Sequence, residues 1–181
     1  MNTLIKSECH FSDYPVIHVH PPHHLAWRDH RYRCALGWGG LSKDKFEGDG
    51  TTPVGQFPLR RVFYRPDRIA KPNTILPIHA LSLNDAWCDD PSHRAYNQLV
   101  TRPFSASHEC LWREDNVYDL IVEIGYNDAP VIAGKGSAIF IHISRPAYSS
   151  TRGCIALLKE DLLNLIETCR PKTNLIISAP G

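Results

Sequence analysis

No two cysteines in this chain are spaced as Cys-x-x-Cys, although six are present: Cys9, Cys34, Cys88, Cys110, Cys154 and Cys169. That scatter excludes a zinc ribbon and a redox dithiol, which need paired sulfur ligands on a single turn. At 181 residues the chain can bury a sizeable core without covalent staples, so most of these thiols read as small buried apolar side chains. An excess of one charge is lacking as well. Twenty Lys and Arg stand against 19 Asp and Glu, for a net charge of +1, and this balance points to neither nucleic acid nor an anionic membrane surface as partner. Nowhere do about eighteen apolar residues run together, so no membrane-spanning helix is expected. The N-terminal stretch MNTLIKSECHFSDYP has one lysine and no sustained apolar run, being interrupted by His10, Asp13 and Pro15. It shows no secretory signal and leaves export open. Repeats and low-complexity tracts are also missing, and one compact domain over residues 1–181 is expected, with 1–14 as a flexible leading segment.

What is present is mostly β-patterned. PVIHVH (Pro15 to His20) alternates apolar and polar residues, and HLAWRDHRYRCALG carries two strand-like arms around Asp29-His30. Gly37-Trp38-Gly39-Gly40 and Glu47-Gly48-Asp49-Gly50 frame a turn-rich segment that ends in TTPVGQFPL. Residues 59 to 117 show no helical period and read as a loop-rich excursion from the sheet. Strand character returns at VYDLIVEIGY (Val117 to Tyr126) and GSAIFIHIS, the second read as a central strand around Phe140. Lys159-Glu160-Asp161 then opens an amphipathic helix with Leu162, Leu163, Leu165 and Ile166 on its apolar side, closing before Pro171. NLIIS, from Asn174, forms a last strand. The fold class expected is mostly β, with one clear helix near the C-terminus.

The chemistry concentrates in FIHISRPAYSSTRGCIA, Phe140 to Ala156. His142 ends an apolar run, and Cys154 follows a glycine after eleven intervening residues. A thiol attacks as thiolate, and its ordinary pKa of about 8.5 leaves only a few per cent ionised at neutral pH without a base or a positive field. His142 can be that base, because a loop of this length returns its ends to hydrogen-bond distance. Gly153 permits a tight turn, Arg152 adds positive charge, and the residues after Cys154 are expected to start toward a helix whose free N–H groups favour an anion. The bland alternative is an ordinary strand histidine and an inert core cysteine.

The segment resembles the active-site signature of the L,D-transpeptidase (YkuD-type) family: a strand ending in His, a variable loop, then Ser/Thr-x-Gly-Cys and an aliphatic residue. Here these are His142 and Thr151-Arg152-Gly153-Cys154-Ile155. GDGTTPVGQF (Gly48 to Phe57) is similar to that family's Gly-Thr-Pro-x-Gly-x-Phe segment, and the middle segments WCDDP, YNQLV and SASHECLWR resemble a subgroup of small proteobacterial members. The resemblance implies a β-sandwich or barrel-like catalytic domain that needs no metal and no cofactor, acting in the periplasm or cell envelope on peptidoglycan stem peptides. It implies Cys154 as nucleophile, His142 as base and then acid, and the N–H groups around Gly153 and Cys154 as oxyanion donors. Departures occur where Arg152 stands for a second histidine before the glycine, where Ala156 stands for an Arg or Asn, and in a shorter His-to-Cys loop. They touch substrate choice more than reaction type. The product expected is a crosslink, with 1,3 (L-alanine to diaminopimelate) favoured modestly over 3,3. The rivals are hydrolysis as an L,D-carboxypeptidase or amidase, and a catalytically silent peptidoglycan-binding domain.

For a zwitterionic stem peptide, Tyr96, Asn97, Asp89 and Asp90 are candidates to line the pocket, the two carboxylates toward the ammonium and Arg145 or Arg152 toward the carboxylate. Ser144, Ser149 and Thr151 flank the catalytic pair. His18, His20, His23 and His24 invite a metal reading, but no cysteine or carboxylate completes a set and two prolines break the face, so no metal site is expected. His108-Glu109 reads as a structural hydrogen-bonding pair.

Overall fold

A computed structural model of the protein describes residues 16–170 and 172–179; the leading segment read as flexible, with Cys9, lies outside them. The strands in chain order are β1 (Val16–His20), β2 (His24–Trp27), β3 (His30–Arg33), β4 (Leu41–Ser42), β5 (Thr52–Pro53), β6 (Gly55–Tyr64), β7 (Ile78–Ala80), β8 (Asp85–Cys88), β9 (Leu99–Thr101), β10 (His108–Cys110), β11 (Leu120–Ile124), β12 (Phe140–Ile143), β13 (Ile155–Leu157) and β14 (Asn174–Ile177). One α-helix, α1 (Lys159–Thr168), stands between β13 and β14. The main sheet runs β13-β12-β11-β6-β14-β1-β2-β3, with β7 added alongside β6.

The two ends of this sheet meet. Just beyond β3, Ala35 exchanges backbone hydrogen bonds with Ala156 of β13, each at 2.9 Å, which makes the sheet a nearly closed barrel and leaves few unpaired edge groups. Alternation decides which side chains fill it. Ile17 and Val19 of β1, Leu25 and Trp27 of β2, Ile141 and Ile143 of β12, and Ile155 and Leu157 of β13 point inward and join Leu162, Leu165 and Ile166 of α1 in one cluster. Fully burying each Leu or Ile contributes about 1.5–3 kcal/mol, so this cluster is the dominant stabilising feature. α1 begins with Glu160 and Asp161 in its first turn, where carboxylates favour the positive end of the helix dipole.

A second cluster lies on the outer face of β6, β11 and β12: Phe63, Ile121 and Phe140 meet Trp87 and Leu111, Val117, Tyr118 and Cys154. A small sheet of order β10-β8-β9 carries Trp87, whose ring packs edge-on against Phe140 at 5.1 Å. The stretch 59–117 is therefore partly ordered as strand and not only loop: β6 continues to Tyr64, and three short strands build a cover over the barrel wall. Those strands are only three or four residues long, too short for periodicity to declare them. Two further readings are revised. β12 is an interior strand but lies second from one end of the order, not at its centre. Cys154 leads into β13, and α1 starts only at Lys159, so the cysteine is not at a helix N-terminus and receives no helix-dipole assistance there.

Candidate active site

His142 and Cys154 project from the same face of the barrel wall. β12 and β13 pair in parallel with Ile141 opposite Ile155 and His142 opposite Ala156. Because Ile141 and Ile155 point into the barrel, His142 and Cys154 point out of it, as diagonal neighbours with backbones roughly 7 Å apart, within reach of an imidazole. Cys154 sits beside Phe140, whose N–H donates to Sγ at 3.4 Å, and the thiol donates to the Ala138 carbonyl at 3.2 Å. Both side chains are almost fully buried and line the floor of a cavity of about 940 Å³.

The imidazole's tautomer follows from its partner. Nδ1 lies 2.9 Å from the Ile143 carbonyl, which can only accept, so Nδ1 carries the proton and Nε2 presents a lone pair. Tyr118 packs edge-on against the ring at 5.4 Å, and its hydroxyl donates to Glu109 Oε1 at 2.9 Å. Burial pushes the His142 pKa down to about 4. Burial, followed by the Glu109 charge, pushes the Cys154 thiol up to about 12, against smaller opposing effects of the Phe140 N–H and the Lys45 charge. The resting pair at neutral pH is thus a thiol and a neutral imidazole.

The turn before the cysteine is braced from within. Thr151 is buried, donates its hydroxyl to the Cys154 carbonyl at 2.7 Å and accepts the Gly153 N–H at 3.1 Å. Gly153 has φ of +128°, and a Cβ there would lie 2.7 Å from the Thr51 carbonyl oxygen, so only glycine fits. The Gly48–Thr52 stretch thus lies directly against the cysteine turn. In it, Asp49 accepts from Lys45 Nζ at 2.6 Å, from the Phe46 and Thr51 N–H groups and from the Thr51 hydroxyl. Burial works against the Asp49 charge, but these donors outweigh it and hold the carboxyl down to about 2. Sequence reasoning missed Lys45, which turns toward the site only because Asp49 four residues on fixes it.

The remaining candidates divide. Asp89, Arg145, Ser149, Thr151 and Arg152 line the cavity together with Glu109 and Arg113. One carboxylate oxygen of Asp89 is buried with no hydrogen-bond partner, and Arg152 is exposed. Arg145 reaches Asp115 at 3.1 Å. Tyr96 and Asn97 do not line the cavity: they are buried behind its wall. The Tyr96 hydroxyl donates to Glu47 at 2.5 Å, while Asn97 accepts from Trp87 Nε1 and the Ala138 N–H and donates to the Tyr126 and Asn127 carbonyls. With every polar atom of Asn97 committed, its contribution is to hold Ala138, and through it the cysteine's acceptor. Ser144 lies in an adjoining cleft with Asp115 and Tyr148, its hydroxyl unpartnered among the described residues. Asp90 folds back on Ser92. Glu109 is held by Tyr118 and faces Arg113 at 3.8 Å, while His108 bonds the Ala106 carbonyl at 2.8 Å. His18, His20 and His24 stand on the barrel's outer face, His18 opposite Ala26 and His20 opposite His24, which in turn lies opposite Arg33, and no group of three or more metal-binding side chains occurs among the described residues.

A family model of the L,D-transpeptidase catalytic domain (YkuD) matches residues 15–177. The chain is similar in structure to the helical cell shape determining protein Pgp2 from Campylobacter jejuni, with 17% sequence identity and a TM-score of 0.48. That likeness covers 93% of this chain and 49% of the other, so this chain spans about half the length of Pgp2. No curated protein sequence matches it.

Proposed function

The chain belongs to the L,D-transpeptidase catalytic-domain (YkuD) family, and from that premise we propose that it is a cysteine acyltransferase of peptidoglycan stem peptides, working as one catalytic domain in the cell envelope. The observation that carries the reading is the placement of Cys154 and His142 on one sheet face, at the floor of a single cavity, with Nε2 of the imidazole free to accept a proton.

The resting state sets the order of events. With the thiol near 12 and the imidazole near 4, no thiolate is stored in the free enzyme, and proton transfer accompanies attack. The thiol turns from the Ala138 carbonyl toward His142 and passes its proton to Nε2. Sγ bonds to the carbonyl carbon that precedes the stem's terminal D-residue. The resulting oxyanion is held by the N–H of Cys154, since that of Gly153 is already engaged by Thr151. The imidazolium then protonates the departing amine, and the D-amino acid leaves a thioester on Cys154. An amine of a second stem attacks the thioester and loses its proton through His142, restoring the thiol and releasing a crosslinked dimer. No step calls for a metal or an organic cofactor.

The cavity is lined by charges of both signs, which suits a diaminopimelate side chain carrying both an ammonium and a carboxylate. Asp89, with its unpartnered buried oxygen, faces the ammonium, and Arg152 the carboxylate. For the product, the 1,3 crosslink from L-alanine to diaminopimelate is preferred modestly over the 3,3 crosslink. The test is incubation of the wild type and Cys154→Ala with purified muropeptides and a free stem peptide, whose unblocked L-alanine amine the 1,3 crosslink requires, followed by fragmentation mass spectrometry. New Cys154-dependent dimers support transfer, and their fragments identify the acceptor amine. Only shortened monomers would make the enzyme an L,D-carboxypeptidase or amidase. No change would leave a silent peptidoglycan-binding domain.

A further inference from the structure

Trp38 is the feature of the cavity rim that acyl transfer does not use. It is 64% exposed, whereas Trp27 and Trp87 are 1% and 4% exposed and fill the two cores. An exposed indole on a mobile loop would mean little, but this one is fixed to the cysteine turn. The Trp38 N–H donates to the Thr151 carbonyl at 2.9 Å, and the Thr151 N–H donates to the Leu36 carbonyl at 2.9 Å. On the other side, Gly39 N–H donates to the Gly50 carbonyl at 3.0 Å. The indole lies where a Gly50 side chain would be: a Cβ on Gly50 would come within 2.1 Å of the ring. Trp38, Gly48 and Gly50 all line the cavity, and Ser149 and Ser150, exposed hydroxyls next to Thr151 in the chain, line it too. The result is an exposed indole lying over the Gly50 backbone and bordered by hydroxyl groups, on a segment tied by backbone hydrogen bonds to the turn that carries Cys154.

The geometry points to a saccharide subsite: Trp38 stacks on a pyranose ring of the glycan strand that bears the donor stem. A pyranose presents a face of C–H bonds polarised by neighbouring oxygens, which the negative face of the indole attracts, while its hydroxyls seek donors and acceptors at the edge. A ligand placed on the indole by its sugar would enter the cavity stem first, toward Cys154. The enzyme would then prefer, as donors, stems still attached to glycan over free peptides, an inference that rests on the peptidoglycan reading above and leaves the acceptor stem free of Trp38.

The experiment compares, as donors, an N-acetylated free stem tetrapeptide with the same tetrapeptide on its disaccharide, reading release of the terminal D-residue with one common acceptor amine in excess, for wild type, Trp38→Ala and Trp38→Phe. The wild type is expected to favour the disaccharide-linked stem by about tenfold in kcat/KM, chiefly through KM, the scale of one truncated aromatic anchor. In Trp38→Ala that ratio falls to near one, and Trp38→Phe keeps part of it. A wild-type ratio of one, or a Trp38→Ala that lowers both substrates alike and leaves the ratio intact, would overturn the subsite. Should the wild type turn over neither substrate, the acyl-transfer reading fails, and co-sedimentation with peptide-free glycan strands decides this one. Retention of wild type but not of Trp38→Ala supports the subsite; no retention of wild type overturns it.

Discussion

Alkylation of Cys154 as a function of pH tests the protonation state on which the catalytic cycle depends. Burial and the Glu109 charge push the thiol up to about 12, so at pH 7 the thiolate is about one part in 10⁵, against a few per cent for a free cysteine near 8.5. Rate follows thiolate fraction, so modification by iodoacetamide should rise about tenfold per pH unit from pH ~6 to pH ~10 without a plateau. At neutral pH it should be about three orders of magnitude slower than for a free thiol, before occlusion by the cavity is counted. The assay follows the Cys154-bearing peptide by mass spectrometry, with the partly exposed Cys110 as internal reference. The slope decides, because occlusion lowers every point alike. Glu109→Gln removes a negative charge that opposes the thiolate and should raise the whole line without changing its slope. A stored thiolate–imidazolium pair would instead react at a constant rate above the thiol's midpoint, and a plateau with a midpoint below pH ~8 would refute the proposed order of proton transfer.

The same burial makes His142 an acid-sensitive element. Its imidazole titrates near 4 when folded and near 6.5 when unfolded, so it contributes about 3 kcal/mol above pH 6.5 that is lost as pH falls through 4. Urea midpoints should drop across that window and drop less in His142→Asn; an unchanged pH slope in the variant would contradict this. Asn97→Ala should destabilise the protein by about 3 kcal/mol, since the buried Trp87 Nε1 and the part-buried Ala138 N–H and Tyr126 and Asn127 carbonyls lose their partner, while KM of the folded enzyme stays within about twofold. A tenfold rise in KM at unchanged Tm would place Asn97 in the substrate pocket instead. Arg152→Ala should raise KM for a carboxylate-bearing stem about tenfold and reduce the salt dependence of KM, and an unaltered KM in steady-state assays would remove Arg152 from recognition.

The tight turn before Cys154 was legible in the sequence because its constraints are local. Gly153 precedes Cys154 for a steric reason that any side chain would violate, and Thr151 lies close enough to brace the turn through its hydroxyl. β12, α1 and β14 were legible because an apolar run or a helical stripe is long enough to declare itself. What escaped is set by contacts far apart in the chain. Barrel closure depends on Ala35 meeting Ala156, and the parallel pairing of β1 with β14 joins the first described strand to the last. Tyr96 and Asn97 carry the polar groups of binding residues, and only the fold shows those groups turned inward on Glu47, Trp87 and Ala138. Trp38 gains its place at the cavity from Thr151, far along the chain, whereas Lys45 is held by Asp49 only four residues on and was overlooked although its partner is local.

The central claim is that Cys154 becomes acylated by the stem peptide with His142 taking its proton. The most direct test is intact-protein and peptide mass spectrometry on enzyme quenched in acid during turnover with a tetrapeptide stem. The account predicts an adduct equal in mass to the donor acyl group lacking its terminal D-residue, located on the Cys154 peptide and lost in His142→Ala. Product formation with no adduct, or an adduct on any other residue, would contradict it.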